Sequence, residues 1–159
     1  MKKNIFLTGI TWLWLSITII IIDYYSKKFI CNNFALYDSL FLTSYLNITY
    51  VQNFGAAFNI LSELDDIWKY GLFSIVTIII CSILIKMLYN HHINKNILNI
   101  AYSLIIGGGI GNLYDRLIHG FVIDFIDFHF NNWHLATFNI ADIAISIGIA
   151  CILIEQFII

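Results

Sequence analysis

The fold is decided by Phe138–Ile158, FNIADIAISIGIACILIEQFI. A bilayer core is about 30 Å thick and takes roughly 20 apolar residues as a helix; this stretch has that length. It carries Asp142 among small and apolar neighbours. An Asp at the centre of a membrane helix costs roughly 2.5–3.5 kcal/mol on insertion scales, so such residues persist where they face a bundle interior. One stretch therefore predicts both a membrane span and a functional acid.

Three more runs of this kind precede it. Ile97–Ile118 is one, and Ile67–Tyr89 another, opened by Trp68 and closed by Lys86 and Tyr89, which are interfacial anchor types. The first, Ile5–Ile22, is closed by Asp23 and preceded by Lys2 and Lys3. A basic start followed by an apolar run resembles a signal peptide, but the run exceeds the usual h-region of about 7–15 residues. No small-residue cleavage site follows it, so a retained helix is expected. Four spans place both termini on the same side.

Composition agrees with lipid as the surrounding medium. Of 159 residues, 60% are hydrophobic and 11% charged, with mean hydropathy +0.82; soluble domains are nearer half apolar and a quarter charged. The length suits one domain, residues 1–159. A net charge of -2 without a basic face argues against a nucleic-acid partner. Cys31, Cys81 and Cys151 are too dispersed for a disulfide framework or zinc cluster.

The connections are unequal. NHHINKN, from Asn90 to Asn96, is short and polar. The segment from Tyr24 to Asp66 is long and includes LNITYV, Leu46 to Val51, whose β-branched and aromatic residues favour a strand. The segment from His119 to Thr137 is rich in aromatics, His and Asp. With four spans these two longer segments share one membrane face. The positive-inside rule does not orient it: Lys2, Lys3, Lys86 and Lys95 oppose Lys27, Lys28, Lys69 and Arg116.

That shared face also gathers Asp23, Asp115, Arg116, Asp124 and Asp142, each near a run's end or in a flanking turn. Two carboxylates brought together in an apolar site cannot both ionise easily; one pKa rises and the pair shares a proton. Such a pair serves as base and acid in hydrolysis by water. Asp142 in FNIADIAISIGIA is one candidate, although a helix-start carboxylate is also favoured by the macrodipole. Asp124 in GFVIDFIDF is the other, and on composition Asp127 could replace it. Asp115-Arg116 suits positioning, since Arg offers a rigid fork of donors. GGGIG, Gly107 to Gly111, lacks the spacing and preceding strand of a nucleotide loop; Gly107 and Gly111 read instead as small residues for close helix approach. In NFGAAF, Asn53 is a turn former or a donor to an extended peptide.

Taken in order, Asp23 with Ser26-Lys27, NFGAAF, GGGIGNLYDRL, GFVIDF and FNIAD resemble the lipoprotein signal peptidases, or signal peptidase II, over nearly the whole chain. The resemblance implies a bacterial inner-membrane aspartyl peptidase: an all-α membrane protein of four transmembrane helices with a small β-rich extracytoplasmic cradle. Both termini would be cytoplasmic and the active site near the outer face. The substrate implied is a diacylglyceryl prolipoprotein, cleaved before its lipidated cysteine, and globomycin-type peptides would inhibit. No cofactor or metal is implied, and a monomer is expected. The catalytic aspartates would be Asp124 and Asp142, which favours Asp124 over Asp127. Asn53, Asn112, Arg116 and Asn139 would contact substrate; Asp23, Asp115, Gly107, Gly108 and Gly111 would support the structure.

Tyr24 stands where the family usually has Gln, Ala136 where it tends to have proline, and the stretch His129 to His134 matches no family block. Three other chemistries fit less well. Ser26 and Lys27 are adjacent and would point about 100° apart on a helix. His119, His129 and His134 lack the paired spacing of a metallopeptidase helix. A transporter would show inverted repeats or charges deeper in its helices.

Overall fold

The computed structural model describes residues 4–55, 66–130, 133–134 and 136–158, with the side chains of residues 66–70 and 158 outside that description. Lys2, Lys3, the AAF of NFGAAF and the Trp68 and Lys69 side chains therefore lie outside the described residues. Four helices, α1 (Leu13–Asn33), α2 (Asp66–Asn90), α3 (Asn96–His119) and α4 (Ile140–Ile158), accompany four strands. The strands are β1 (Ser39–Thr43), β2 (Leu46–Asn53), β3 (Val122–Phe130) and β4 (Trp133–His134). Each helix includes a stretch long and apolar enough to cross a bilayer. The fold class expected from the sequence is the one observed.

α3 is the central helix: 56% of its apolar window is buried, against 17–22% for the other three. Its glycines explain this. A Cβ at Gly107 would meet Ser16 and Ile19 of α1, one at Gly108 would be driven into Ala141 and Ile145 of α4, and one at Gly109 would meet Cys81 and Thr77 of α2. Three faces of one helix thus admit three neighbours. Ile75, Ile78, Ile79 and Ile83 of α2 remain exposed on the bundle's outside, where lipid would cover them.

The first helix differs from the expected run. Residues 5–7 and 9–12 form 3-10 turns, and α1 continues past Asp23 as far as Asn33. Asp23 does not end the helix because Lys27, four residues on, pairs with it at 2.7 Å. An acid with a partner one turn away need not lie at a terminus.

The sheet also exceeds the expected patch. Its order is β1-β2-β3-β4, all antiparallel, so the segment after α3 contributes as much as the one after α1. Gly120, at φ 79, closes α3 with its N–H on the Arg116 carbonyl at 3.1 Å and turns the chain into β3, a left-handed cap that suits glycine. β3 then hands over to α4: the Phe125 and Ile126 N–H groups donate to the Phe138 carbonyl at 3.1 and 2.8 Å, and the Phe138 N–H donates back to Ile126 at 3.0 Å. Asp124 therefore lies on a strand, not in a turn, beside the residues that start α4.

Candidate active site

Asp124 is 1% exposed and belongs to β3, where its Cα partner on β2 is Val51. Asn53 pairs with Val122, one diagonal step away, and its Nδ2 reaches Asp124 Oδ2 at 2.8 Å. The Asn53 carbonyl oxygen is held by the Gly55 N–H at 2.8 Å. This fixes which end of the amide faces the carboxylate.

Asn139 brings the second aspartate to the first. Its Nδ2 donates to Asp124 Oδ1 at 2.7 Å. Its Oδ1 accepts from the Asp142 N–H at 2.9 Å, while its own N–H donates to Asp142 Oδ2 at 3.2 Å. The reciprocal pair is a capping box at the start of α4, with Asp in the place usually held by Glu or Gln. The residue that caps the helix is thus also the one that touches the partner acid. Asn112 of α3 completes the frame: its Nδ2 donates to Asp142 Oδ1 at 2.8 Å, and its Oδ1 accepts from Asn139 Nδ2 at 3.1 Å.

The two carboxylates have different surroundings. Burial, together with the Asp142 carboxylate, pushes Asp124 up to about 7, because neither low dielectric nor a like charge favours ionisation. Asp142 is half-buried and sits in the first turn of α4, where the macrodipole favours an anion. It opens onto a cleft of about 340 Å³ lined with Phe138, Ile143, Ser146 and Ile147. Arg116 lies within electrostatic reach of Asp142, Asp124 and Asp115, its guanidinium 5.5 Å from the centre of the Phe73 ring.

Behind this frame lies a buried ionic group. The Lys27 ammonium contacts Asp23 at 2.7 Å, Asp115 at 2.9 Å and Asn112 Oδ1 at 3.0 Å. Asp23 Oδ1 also accepts from the Ala141 N–H at 2.9 Å, and Asp115 Oδ2 from the Ile123 N–H at 3.1 Å. The supporting acids therefore tie α1 to α4 and α3 to β3. Gly111 leaves room for this, since a Cβ there would stand 2.6 Å from Asp23 Oδ2.

The residues proposed from sequence as Asp124, Asp142, Asn53, Asn112, Asn139, Asp23 and Asp115 form one connected hydrogen-bond network. Sequence reasoning did not assign Lys27. The signal was present: an Asp and a Lys four apart on one helix face, at the end of an apolar run. Asp127 faces elsewhere and is bound by His134 Nδ1 at 3.0 Å and Asn47 Nδ2 at 3.3 Å. Ser26 donates to the Asp23 carbonyl at 2.8 Å, so it does not pair with Lys27. His119 stacks on Phe121, and the His129 ring lies tilted against that of His134 with centroids 5.2 Å apart; among the described residues no His, Cys, Asp or Glu group has the arrangement of a metal site.

Comparison with known proteins agrees on one family. Residues 15–158 match the family described as signal peptidase (SPase) II. The chain is 50% identical over 157 residues to the lipoprotein signal peptidase of Photorhabdus laumondii subsp. laumondii, covering 99% of this chain and 93% of that one. It is 49% identical over 158 residues to the lipoprotein signal peptidase of Yersinia enterocolitica, with the same coverage of 99% and 93%. Two solved structures of bacterial membrane enzymes, obtained by the in meso method at 2.3 and 1.9 Å, superpose with TM-scores of 0.81 and 0.81. They are 33% and 32% identical and cover 92% of this chain, and 87% and 92% of their own.

Proposed function

The chain belongs to the signal peptidase II family, and from that premise we propose that Asp124 and Asp142 are the catalytic pair with which it works. It is an aspartic peptidase of bacterial lipoprotein processing that removes signal peptides from prolipoproteins, and it is a membrane protein. The observation that carries the proposed pair is Asn139, which hydrogen-bonds to Asp124 with its amide and boxes Asp142 with its carbonyl and N–H.

The roles follow from the environments. Asp124, near 7 in its buried site, holds the proton. Asp142, at the helix start and beside the open cleft, is ionised. Water bound between them gives a proton to Asp142 as its oxygen adds to the scissile carbonyl carbon, and Asp124 passes its proton to the carbonyl oxygen. The resulting diol collapses: the C–N bond breaks, the nitrogen takes the proton from Asp142, and Asp124 recovers its own. Arg116, Asn53 and Asn112 hold substrate carbonyls; Arg116 lies close enough to stabilise charge on the oxygen.

The bond cut precedes a diacylglyceryl cysteine, whose chains lie in lipid beside the cleft at Ile143 and Ile147. The sheet end faces outward from the inner membrane and both termini are cytoplasmic. Residues 1–159 act as one domain and as a monomer, and globomycin-type peptides block the pair. The test is cleavage of a precursor, with and without its diacylglyceryl group, by membrane-embedded enzyme. Cleavage of the lipidated form alone is expected; equal cleavage of both would overturn the lipid requirement. Near wild-type cleavage by Asp124→Asn or Asp142→Asn would overturn the pair.

A further inference from the structure

Lys27 takes no part in the reaction above, yet it is enclosed, with a side chain 3% exposed. An ammonium has three N–H donors, and here each has an acceptor: Asp23, Asp115 and the Asn112 carbonyl oxygen. The third contact is the informative one. Two carboxylates already outweigh the single charge, so neutralisation alone does not require an amide.

Consider what the Asn112 amide would meet if it turned over. Its NH2 would then face the Lys27 ammonium and the Asn139 NH2, and its carbonyl oxygen would face the Asp142 carboxylate. All three contacts would become repulsive. A buried polar group left against a like partner loses its hydrogen bond and retains its desolvation cost. The lysine therefore sets one orientation of a side chain that could otherwise adopt two.

We propose that Lys27 is a positioning residue for peptide hydrolysis: its ammonium holds the Asn112 amide so that Nδ2 stays against Asp142 and the two-aspartate frame keeps its working geometry. This rests on the reading of Asp124 and Asp142 as the catalytic pair. The charged groups around it are Asp23 on its own helix, Asp115 and Arg116 on α3, Asp124 on β3 and Asp142 on α4. Lys28 lines the cavity next to it, its amine 5.8 Å from the Tyr24 ring centre. Lys27 also favours the ionised form of Asp124 through space, so its removal moves the pH dependence of cleavage upward.

A cavity of about 180 Å³ between α1 and α3, lined by Tyr24, Lys28, Cys31, Tyr114 and His119, reaches Lys27. A small amine can therefore approach the space that a truncated side chain leaves.

The experiment uses Lys27→Ala enzyme in lipid nanodiscs with a lipidated precursor. Misplacing a catalytic frame costs about 100-fold, and that loss is expected in kcat, with KM within about threefold and the pH optimum raised. Ethylammonium should restore part of kcat, and tetramethylammonium, which has no N–H, should not. Asp23→Asn/Lys27→Met guards against misfolding, because it keeps the net charge of the buried group; it should show the same kcat loss without rescue. Wild-type kcat in either variant would overturn the proposal. So would a Lys27→Ala loss that merely tracks folded protein, with an unchanged pH profile and no response to ethylammonium. Asp124→Asn and Asp142→Asn should be inactive at every pH and insensitive to amines. If they are active, it is the catalytic pair that fails.

Discussion

α3 carries a buried polar cluster at each end, and the two are wired differently. At the end near the α2–α3 turn, Asn99 is fully buried, and its Nδ2 donates to the backbone carbonyls of His92 and Ile93 at 3.0 and 3.2 Å. Ser16 donates to the Ser103 carbonyl at 2.7 Å, and Trp12 Nε1 to the Ile93 carbonyl at 3.2 Å. Nearly every partner is backbone, so the cluster fastens the turn before α3 and the stretch around Trp12 and Ser16 to the bundle. At the sheet end backbone N–H groups such as those of Ala141 and Ile123 also take part, but the side chains bond to one another as well: Asn112 with Asp142, Asn139 with Asp124, Lys27 with Asp23 and Asp115. Backbone acceptors never change their protonation, whereas a network of carboxylates, amides and an ammonium can move protons. Burial is common to both ends; the kind of partner separates structure from proposed chemistry.

The sharpest way to break this contrast is at the proposed pair. Asp124→Asn and Asp142→Asn should each lower cleavage by at least about 1000-fold, in line with loss of a general acid or base, while the protein still accumulates in membranes. A variant that cleaves normally would make the sheet end as structural as the other.

Next in size are the amides. Asn112→Ala and Asn139→Ala should cost about 100-fold in kcat. Asn99→Ala should instead lower stability by about 1–3 kcal/mol, read as a drop in melting temperature, with the pH profile of cleavage unchanged. If Asn99→Ala shifted that profile, the two ends would not be separable.

Asp124 links the comparison to pH. Its folded pKa, about 7, lies above the ordinary value of 3.8, so the folded protein binds the proton more tightly than the unfolded chain. Stability then falls as pH rises from about 4 to about 7. Asp124→Asn removes this penalty and should raise the melting temperature at pH 8 but hardly at pH 4. The same ionisation should set an alkaline limb in kcat/KM near pH 7, provided Asp124 is the acid. An acidic limb near pH 7 in its place, with cleavage rising as Asp124 ionises, would reverse the two roles. The smallest effect belongs to Asp127, three residues along β3 and engaged with His134 and Asn47. Asp127→Asn should leave kcat within about threefold, measured in the same cleavage assay.

Some of this was legible in residues alone. Four apolar runs and their lengths dictated four helices, because an unsatisfied backbone in lipid leaves few other choices. GGGIG implied close packing around Gly107 and Gly111; a Cβ at Gly107 would meet Ser16 and Ile19 of α1, and one at Gly111 would meet Asp23. Other features were hidden. Asp23 looked like a helix end because a lone carboxylate in an apolar run usually is one; Lys27 four residues on was the overlooked signal, and only the contact with Ala141 belongs to the fold. β3 was not visible in FVIDFIDFHF, whose acids fall three apart and break a strand's alternation, and β4 is a two-residue pairing beyond it.

The sequence by itself determined the membrane spans, the shared face of the long connections, the block order of the family, and a short list of acids. Hydrophobic length and residue chemistry are local properties, and lipid enforces them segment by segment. Only the tertiary structure decided which acids meet. Asp124 and Asp142 are 18 positions apart, on a strand and a helix, and the exchange of hydrogen bonds between Ile126 and Phe138 brings Asn139 to both. That proximity, the engagement of Asp127 with His134 and Asn47, and the contact of Lys27 with Asn112 depend on pairing across elements, which no run of residues contains.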